Sequence, residues 1–275
     1  MDAAPARTIH ERFDIQDRGS GTPPIVFGNG FGTVQGVWGP LIDALDGGRR
    51  VVTFDPAGAS PRTLAALQPS RHDRIEGFAE DLLQVIESVG ERVIFVGHSF
   101  SGMAGMLAAL AEPALFRGVV LIGASARYID DPGSGYVGGM TQAGVDSAVA
   151  HMKQDFVNWS NGFSKAVAAN PGRAEVAGQF AASLRELRPD VGARVISMIL
   201  RGDYRDACVD YGALGIPTLS LHARVDAAVA REASQWLAQA TGARSVELDL
   251  EGHFPHVVDP PLVAGHISDF LGQVP

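Results

Sequence analysis

The first half of the chain is punctuated by short, continuously apolar runs rich in β-branched residues: Pro24–Phe27, Val51–Asp55, Arg92–Val96 and Gly118–Ile122. Runs apolar on both faces are the pattern of strands buried in a parallel sheet. Between the second and third lies Ile75–Val89, with Ile75, Phe78, Leu82, Val85, Ile86 and Val89 at helical spacing and acidic residues elsewhere on its surface. The third run passes through a turn into Gly105–Leu110, a stretch of good helix formers. Strand and helix therefore alternate, which predicts a mainly parallel sheet covered on both faces. Val37–Leu45 adds a predicted helix, and the loosely alternating Thr8–Ile15 predicts an edge strand.

At Ala126 the pattern changes. Residues 126–212 contain no convincing period-two run; helices are predicted at Gly138–Val157, Gly162–Ala168, Arg173–Leu187 and Asp190–Leu200, broken by glycine and proline. The earlier rhythm resumes with a strand at Ile216–His222, a helix at Glu232–Ala240, a strand at Arg244–Leu248 and a closing helix at Leu262–Leu271. The expectation is one α/β core, residues 1–125 and 213–275, with 126–212 inserted as a helical cap over the strand ends, where open α/β sheets bind ligands.

Composition narrows the classes. The chain has 275 residues, 46% of them hydrophobic, and a net charge of −9, so it can bury a large core. It lacks the basic runs of a nucleic-acid binder. No apolar stretch reaches membrane-spanning length, and Met1–Asp14 has no signal-peptide core, so a cytoplasmic protein is expected. Cys208 stands alone, which rules out an intrachain disulfide and suits a reducing compartment. No metal-ligand spacing appears, and no cofactor is expected.

The chemistry centres on Gly97-His98-Ser99-Phe100-Ser101. This is a form of G-x-S-x-G at the junction of a strand and a helix, a turn so abrupt that the neighbours two residues away must be small. It would raise a serine hydroxyl at a helix N-terminus, whose free N–H groups and partial positive charge suit an anion forming there. Gly28-Asn29-Gly30-Phe31-Gly32-Thr33, after an early strand, invites a dinucleotide-binding reading. The fingerprint fails because the third glycine position holds Thr33. In hydrolases with this elbow, one oxyanion donor is the residue after the nucleophile and the other lies in the loop after an early strand, which assigns the N–H groups of Phe100 and Phe31.

A serine hydroxyl needs a base in reach, and the base needs an acid to fix its tautomer. In this arrangement the partners follow in the order Ser, Asp or Glu, His. His253, after Gly252 in the loop beyond the last strand, leads for the base, with His256 as runner-up; His98 adjoins Ser99 but is expected to point the other way. Asp226, past the strand that follows the cap, leads for the acid, with an alternative role as a helix cap.

These residues resemble a known family nearly end to end, from Ile25 to Leu271. The chain is similar to RsbQ-type regulators and the strigolactone and karrikin receptors, within the α/β-hydrolase fold. The resemblance rests on Gly30-Phe31-Gly32-Thr33-x-Gln35-x-x-Trp38, Phe54-Asp55, Val96 through Ser101 and Glu251 through His256, and more specifically on Ala126 through Asp131, Trp159-x-x-Gly162-Phe163 and Arg188-Pro189-Asp190. It implies Ser99, Asp226 and His253 as a catalytic triad, Phe31 and Phe100 as oxyanion donors, and a four-helix, V-shaped cap. It also implies an apolar pocket with Trp159 and Phe163, with Tyr128 near its entrance. On spacing alone those aromatics read as core. Phe100, where a smaller residue is usual, is expected to narrow the pocket. The expected function is serine hydrolysis of a small apolar ester or lactone. The alternative is a ligand sensor that hydrolyses slowly and acts through a regulatory protein docking on the cap. A third reading, lyase or acyl-transfer chemistry at the same triad, stays open.

Overall fold

The computed structural model describes residues 7–45 and 47–274. Residues 1–6, 46 and 275, which the expected core range includes, lie outside it. The chain opens with α1 (Ile9–Phe13), then β1 (Gln16–Arg18), β2 (Ile25–Gly28), α2 (Gly39–Ala44), β3 (Val51–Phe54), α3 (Ile75–Val89), β4 (Val93–His98), α4 (Phe100–Ala111) and β5 (Phe116–Ile122). Helices α5 (Gln142–Gln154), α6 (Phe156–Val167), α7 (Glu175–Glu186), α8 (Pro189–Arg201) and α9 (Arg205–Gly212) follow. The chain closes with β6 (Thr218–Val225), α10 (Arg231–Thr241), β7 (Arg244–Glu251), α11 (Pro255–Val258) and α12 (Pro260–Leu271).

The seven strands form one sheet in the order β1-β3-β2-β4-β5-β6-β7. Only β1 runs antiparallel to its neighbour. Strand order reverses beside β2, which pairs with β3 on one side and β4 on the other. Crevices beside such reversals, at the carboxyl ends of the strands, are where α/β sheets bind ligands. Burial explains the apolar runs: every residue of β2, β3 and β4 is buried. One core cluster lies between the sheet and α3, α4 and α10; a second lies on the opposite face against α2 and α12.

The expected α/β core is present, with four local corrections to the predicted elements. Thr8–Ile15 is not an edge strand. Thr8 caps α1 through a capping box with Glu11, a Thr-x-x-Glu signal that favours helix over extended chain; the edge strand comes next, at β1. The first cap helix stops at Gln154 because Asp155 caps α6, accepting the N–H of Asn158. Gly162 lies inside α6 rather than opening it. Strand β6 runs on to Val225, so Asp226 follows it directly.

Candidate active site

Strand β4 ends at His98 and α4 begins at Phe100, leaving Ser99 alone at the corner. Its backbone sits at φ 55°, ψ −125°, a region that side chains with a Cβ rarely adopt and that costs of order 1–3 kcal/mol. The Ser99 N–H donates to the carbonyl of Ile122 on β5 at 2.8 Å, pinning the corner to the sheet. The turn closes so tightly that a Cβ on Gly97 would lie 2.7 Å from the backbone of Gly102. That is the physical reason the elbow demands glycine there.

Asp226 Oδ2 lies 2.7 Å from Nδ1 of His253, and both side chains are more than nine-tenths buried. Asp226 Oδ1 accepts the N–H groups of Ala228 and Val229 at 2.7 and 3.2 Å, so both carboxylate oxygens have fixed work. It does not cap α10, whose N-cap is Ala230. The loop carrying His253 is held from two sides: the Gly252 N–H donates to Val225 of β6, and the His253 N–H donates to Val167 at the end of α6.

Ser99 and His253 line one cavity of about 200 Å³. Phe31, Tyr128, Trp159 and Phe163 line it with them, so the structure gathers these sequence-chosen residues in one place. Trp159 and Phe163 stack at 4.7 Å, and both meet the Phe31 ring edge-on at 6.5 Å. Burial pushes the Tyr128 phenol up to about 12, and its oxygen interacts with the Ser99 hydroxyl. Phe180, Phe254 and Ile196 also line the cavity; Phe254 lies in the Glu251–His256 stretch, while Phe180 and Ile196 had no sequence signal beyond ordinary core spacing.

Two expectations about side-chain direction fail. Phe100 does not narrow this cavity: its ring packs edge-on against Phe78 at 5.4 Å, behind the elbow. The first residue of α4 points its side chain into the core between α4 and α3 while its N–H stays at the helix end. Among the described residues, no carbonyl accepts the N–H of either Phe31 or Phe100. His98 does not point away from the site either. Its Nε2 donates to the His253 carbonyl at 2.8 Å, and the two rings lie 4.7 Å apart. His98 is held well below its ordinary value by burial, then by the charges of His256 and His253. The runner-up base, His256, is fully buried and stacked on Trp38 at 4.5 Å, and burial pushes it down to about 3.

Residues 25–265 match the model of the alpha/beta hydrolase family. The chain belongs to that family. It is 32% identical to the karrikin insensitive 2 receptor CA of Petunia hybrida, covering 93% of this chain and 94% of that one. It is 30% identical to a strigolactone esterase of Pisum sativum, covering 96% and 98%. Among alpha/beta hydrolases it is thus similar to the plant receptors along almost their whole length, as its motifs suggested. A hydrolase from Oleispira antarctica shares the fold with a TM-score of 0.90 at 22% identity, covering 96% of each chain. An enol-lactonase from Burkholderia xenovorans shares it with a TM-score of 0.78 at 21% identity, covering 94% and 95%. Among the described residues no helix is long and apolar enough to cross a membrane.

Proposed function

We propose that this hydrolase is a serine esterase or lactonase acting on small apolar substrates through Ser99, His253 and Asp226. The observation that carries the proposal is a strained serine at a strand–helix corner, sharing a cavity with a histidine whose far nitrogen is bonded to a buried carboxylate. Asp226 holds the proton of His253 on Nδ1, which leaves Nε2 as the acceptor. Ser99 Oγ attacks the carbonyl carbon as its proton passes to Nε2, and the carbonyl π pair moves onto oxygen. The N–H groups of Phe31 and Phe100 receive that oxyanion. Its collapse breaks the acyl–oxygen bond, and His253 returns the proton to the leaving oxygen. Water repeats the sequence on the acyl-enzyme. At about 200 Å³ the cavity falls below the ~300–1,000 Å³ of sites for drug-sized ligands, and its aromatic walls favour an uncharged substrate.

We take 126–212 as one inserted unit, whose helices α5 to α8 close the cavity from above, while α9 packs against α4 and α10. We place the protein in a reducing compartment such as the cytoplasm, where the buried Cys208 stays a thiol. Replacing Ser99 with Ala should lower turnover of a short nitrophenyl ester by roughly 10⁴-fold or more. An unchanged rate would remove the mechanism.

The names of the relatives, a receptor and an esterase, support a second reading in which slow hydrolysis serves signalling, and we place its protein partner at the cap. Turnover separates the two. A kcat of about 10 s⁻¹ is ordinary for an enzyme. A far slower rate on every ester tried, with partner binding that requires ligand, identifies a sensor.

A further inference from the structure

The loop that carries Phe31 is gripped at both of its flanks by serine hydroxyls from different parts of the molecule. On the core side, Ser101 Oγ donates to the carbonyl of Asn29 at 2.6 Å. Ser101 is buried in the first turn of α4, and it occupies the position where G-x-S-x-G has its second glycine. On the other side, Ser183 Oγ, from α7, donates to the carbonyl of Gly32, also at 2.6 Å. Between these anchors the loop braces itself. Asn29 Nδ2 donates to the Thr33 carbonyl at 2.6 Å, and Thr33 Oγ1 donates to the Gly30 carbonyl at 2.9 Å. The peptide bearing the Phe31 N–H is therefore fixed from below by the nucleophile's own helix and from above by a helix of the inserted layer.

Packing makes the upper grip exacting. Gly32 has φ +76°, and a Cβ there would lie 2.3 Å from Leu184 Cδ2, one residue beyond Ser183. Helix α7 thus presses on the loop where it also bonds it. The Phe31 ring meets Trp159 and Phe163 of α6, and α6 and α7 pack against each other. Any movement of this helix pair reaches the Phe31 peptide through one hydrogen bond and two ring contacts.

We propose that Ser101 and Ser183 are positioning residues for the Phe31 N–H, and that through Ser183 the cap sets how well the oxyanion is held. The inference rests on the esterase mechanism above. A donor aimed at a developing charge is worth about 10²–10³ in rate when removed outright. A donor only loosened loses part of that, because the hydrogen bond must form where the oxyanion, not the ground-state carbonyl, will sit. The effect should fall on kcat rather than KM, since the substrate gains this bond chiefly in the transition state.

The experiment compares Ser101→Ala, Ser183→Ala and the double variant with the wild type and with Ser99→Ala. The readouts are kcat and KM on p-nitrophenyl acetate, inhibition by a phenylboronic acid that forms a tetrahedral adduct on Ser99, and melting temperature. Each single variant should lose roughly tenfold in kcat, and the double variant up to ~10²-fold, within the span of one oxyanion donor. KM should stay within about twofold, and the boronate should weaken in parallel with kcat. Ser183→Thr, which keeps a hydroxyl, should recover most of the loss. Wild-type kcat in both alanine variants overturns the proposal while leaving the mechanism standing, provided Ser99→Ala is inactive. So does a kcat loss with undiminished boronate binding, or a loss that Ser183→Thr does not restore. Full activity in Ser99→Ala overturns the mechanism and the inference with it.

Discussion

Asp226→Asn is nearly isosteric, yet the surroundings of Asp226 make it a severe test. Oδ1 accepts two backbone N–H groups, those of Ala228 and Val229, and Oδ2 faces His253 Nδ1 at 2.7 Å. An asparagine must keep its carbonyl oxygen at the first position, because turning its NH2 there would set donor against donor. Leaving buried donors unmet costs about 1–3 kcal/mol each. The amide NH2 is therefore forced toward His253 Nδ1, which can pair with it only as an acceptor. The imidazole proton moves to Nε2, the nitrogen that takes the proton of Ser99 in the proposed mechanism. A histidine locked in that tautomer cannot serve as the base, and the expected loss is about 10⁴-fold in kcat, the scale of a wrong-tautomer triad. That corresponds to about 5.4 kcal/mol of barrier at 1.36 kcal/mol per tenfold. The assay is kcat on p-nitrophenyl acetate, with intact-mass labelling of Ser99 by a fluorophosphonate and a thermal melt to show that the fold survives. A folded Asp226→Asn protein within tenfold of wild type would refute the assignment of the base and its orienting acid together.

Two further outcomes follow from the buried His256 and from the cavity. His256 titrates at about 3 in the folded chain because it is buried, against an ordinary 6.5. Between those values the unfolded chain binds the extra proton, so this stability is fully present above pH 6.5 and lost as pH falls toward 3. His256→Phe, which keeps the stacking on Trp38, should flatten the fall in melting temperature between pH 7.5 and pH 5, and curves parallel to wild type would contradict it. Phe180 and Phe254, 4.6 Å apart, stand between the 200 Å³ cavity and a neighbouring space of about 220 Å³ that both also line. Phe180→Ala should join the two and shift acyl preference from acetate toward longer chains. An unaltered ratio of kcat/KM for octanoate over acetate would show that the aromatic pair is no barrier.

Much of the architecture was written in local sequence. Continuous apolar runs marked β2 to β5, because strands covered on both faces have no polar side to show. The period of Ile75–Val89 matched α3 residue for residue, since one face of that helix is core and the other solvent. The elbow was legible because its sterics are local: Gly97 must be small when the chain turns within two residues, and Ser99 is then the residue at the corner. The proposed order Ser99, Asp226, His253 rests on topology, because strand order fixes which strand ends share a mouth. Even the miss at Thr8–Ile15 was readable, since Thr8 and Glu11 form a local capping box.

Tertiary structure decided which way side chains face at the corners and what touches them from far along the chain. Nothing near Phe100 in sequence says that its ring turns to Phe78, or that His98 reaches the carbonyl of His253, 155 residues away. Ser183 looks like any helix-surface serine until α7 comes to rest on Gly32, 151 residues before it. Such contacts depend on how rigid elements dock. Docking is settled by the summed packing of many side chains across helices and sheet, and no short window of sequence contains that sum.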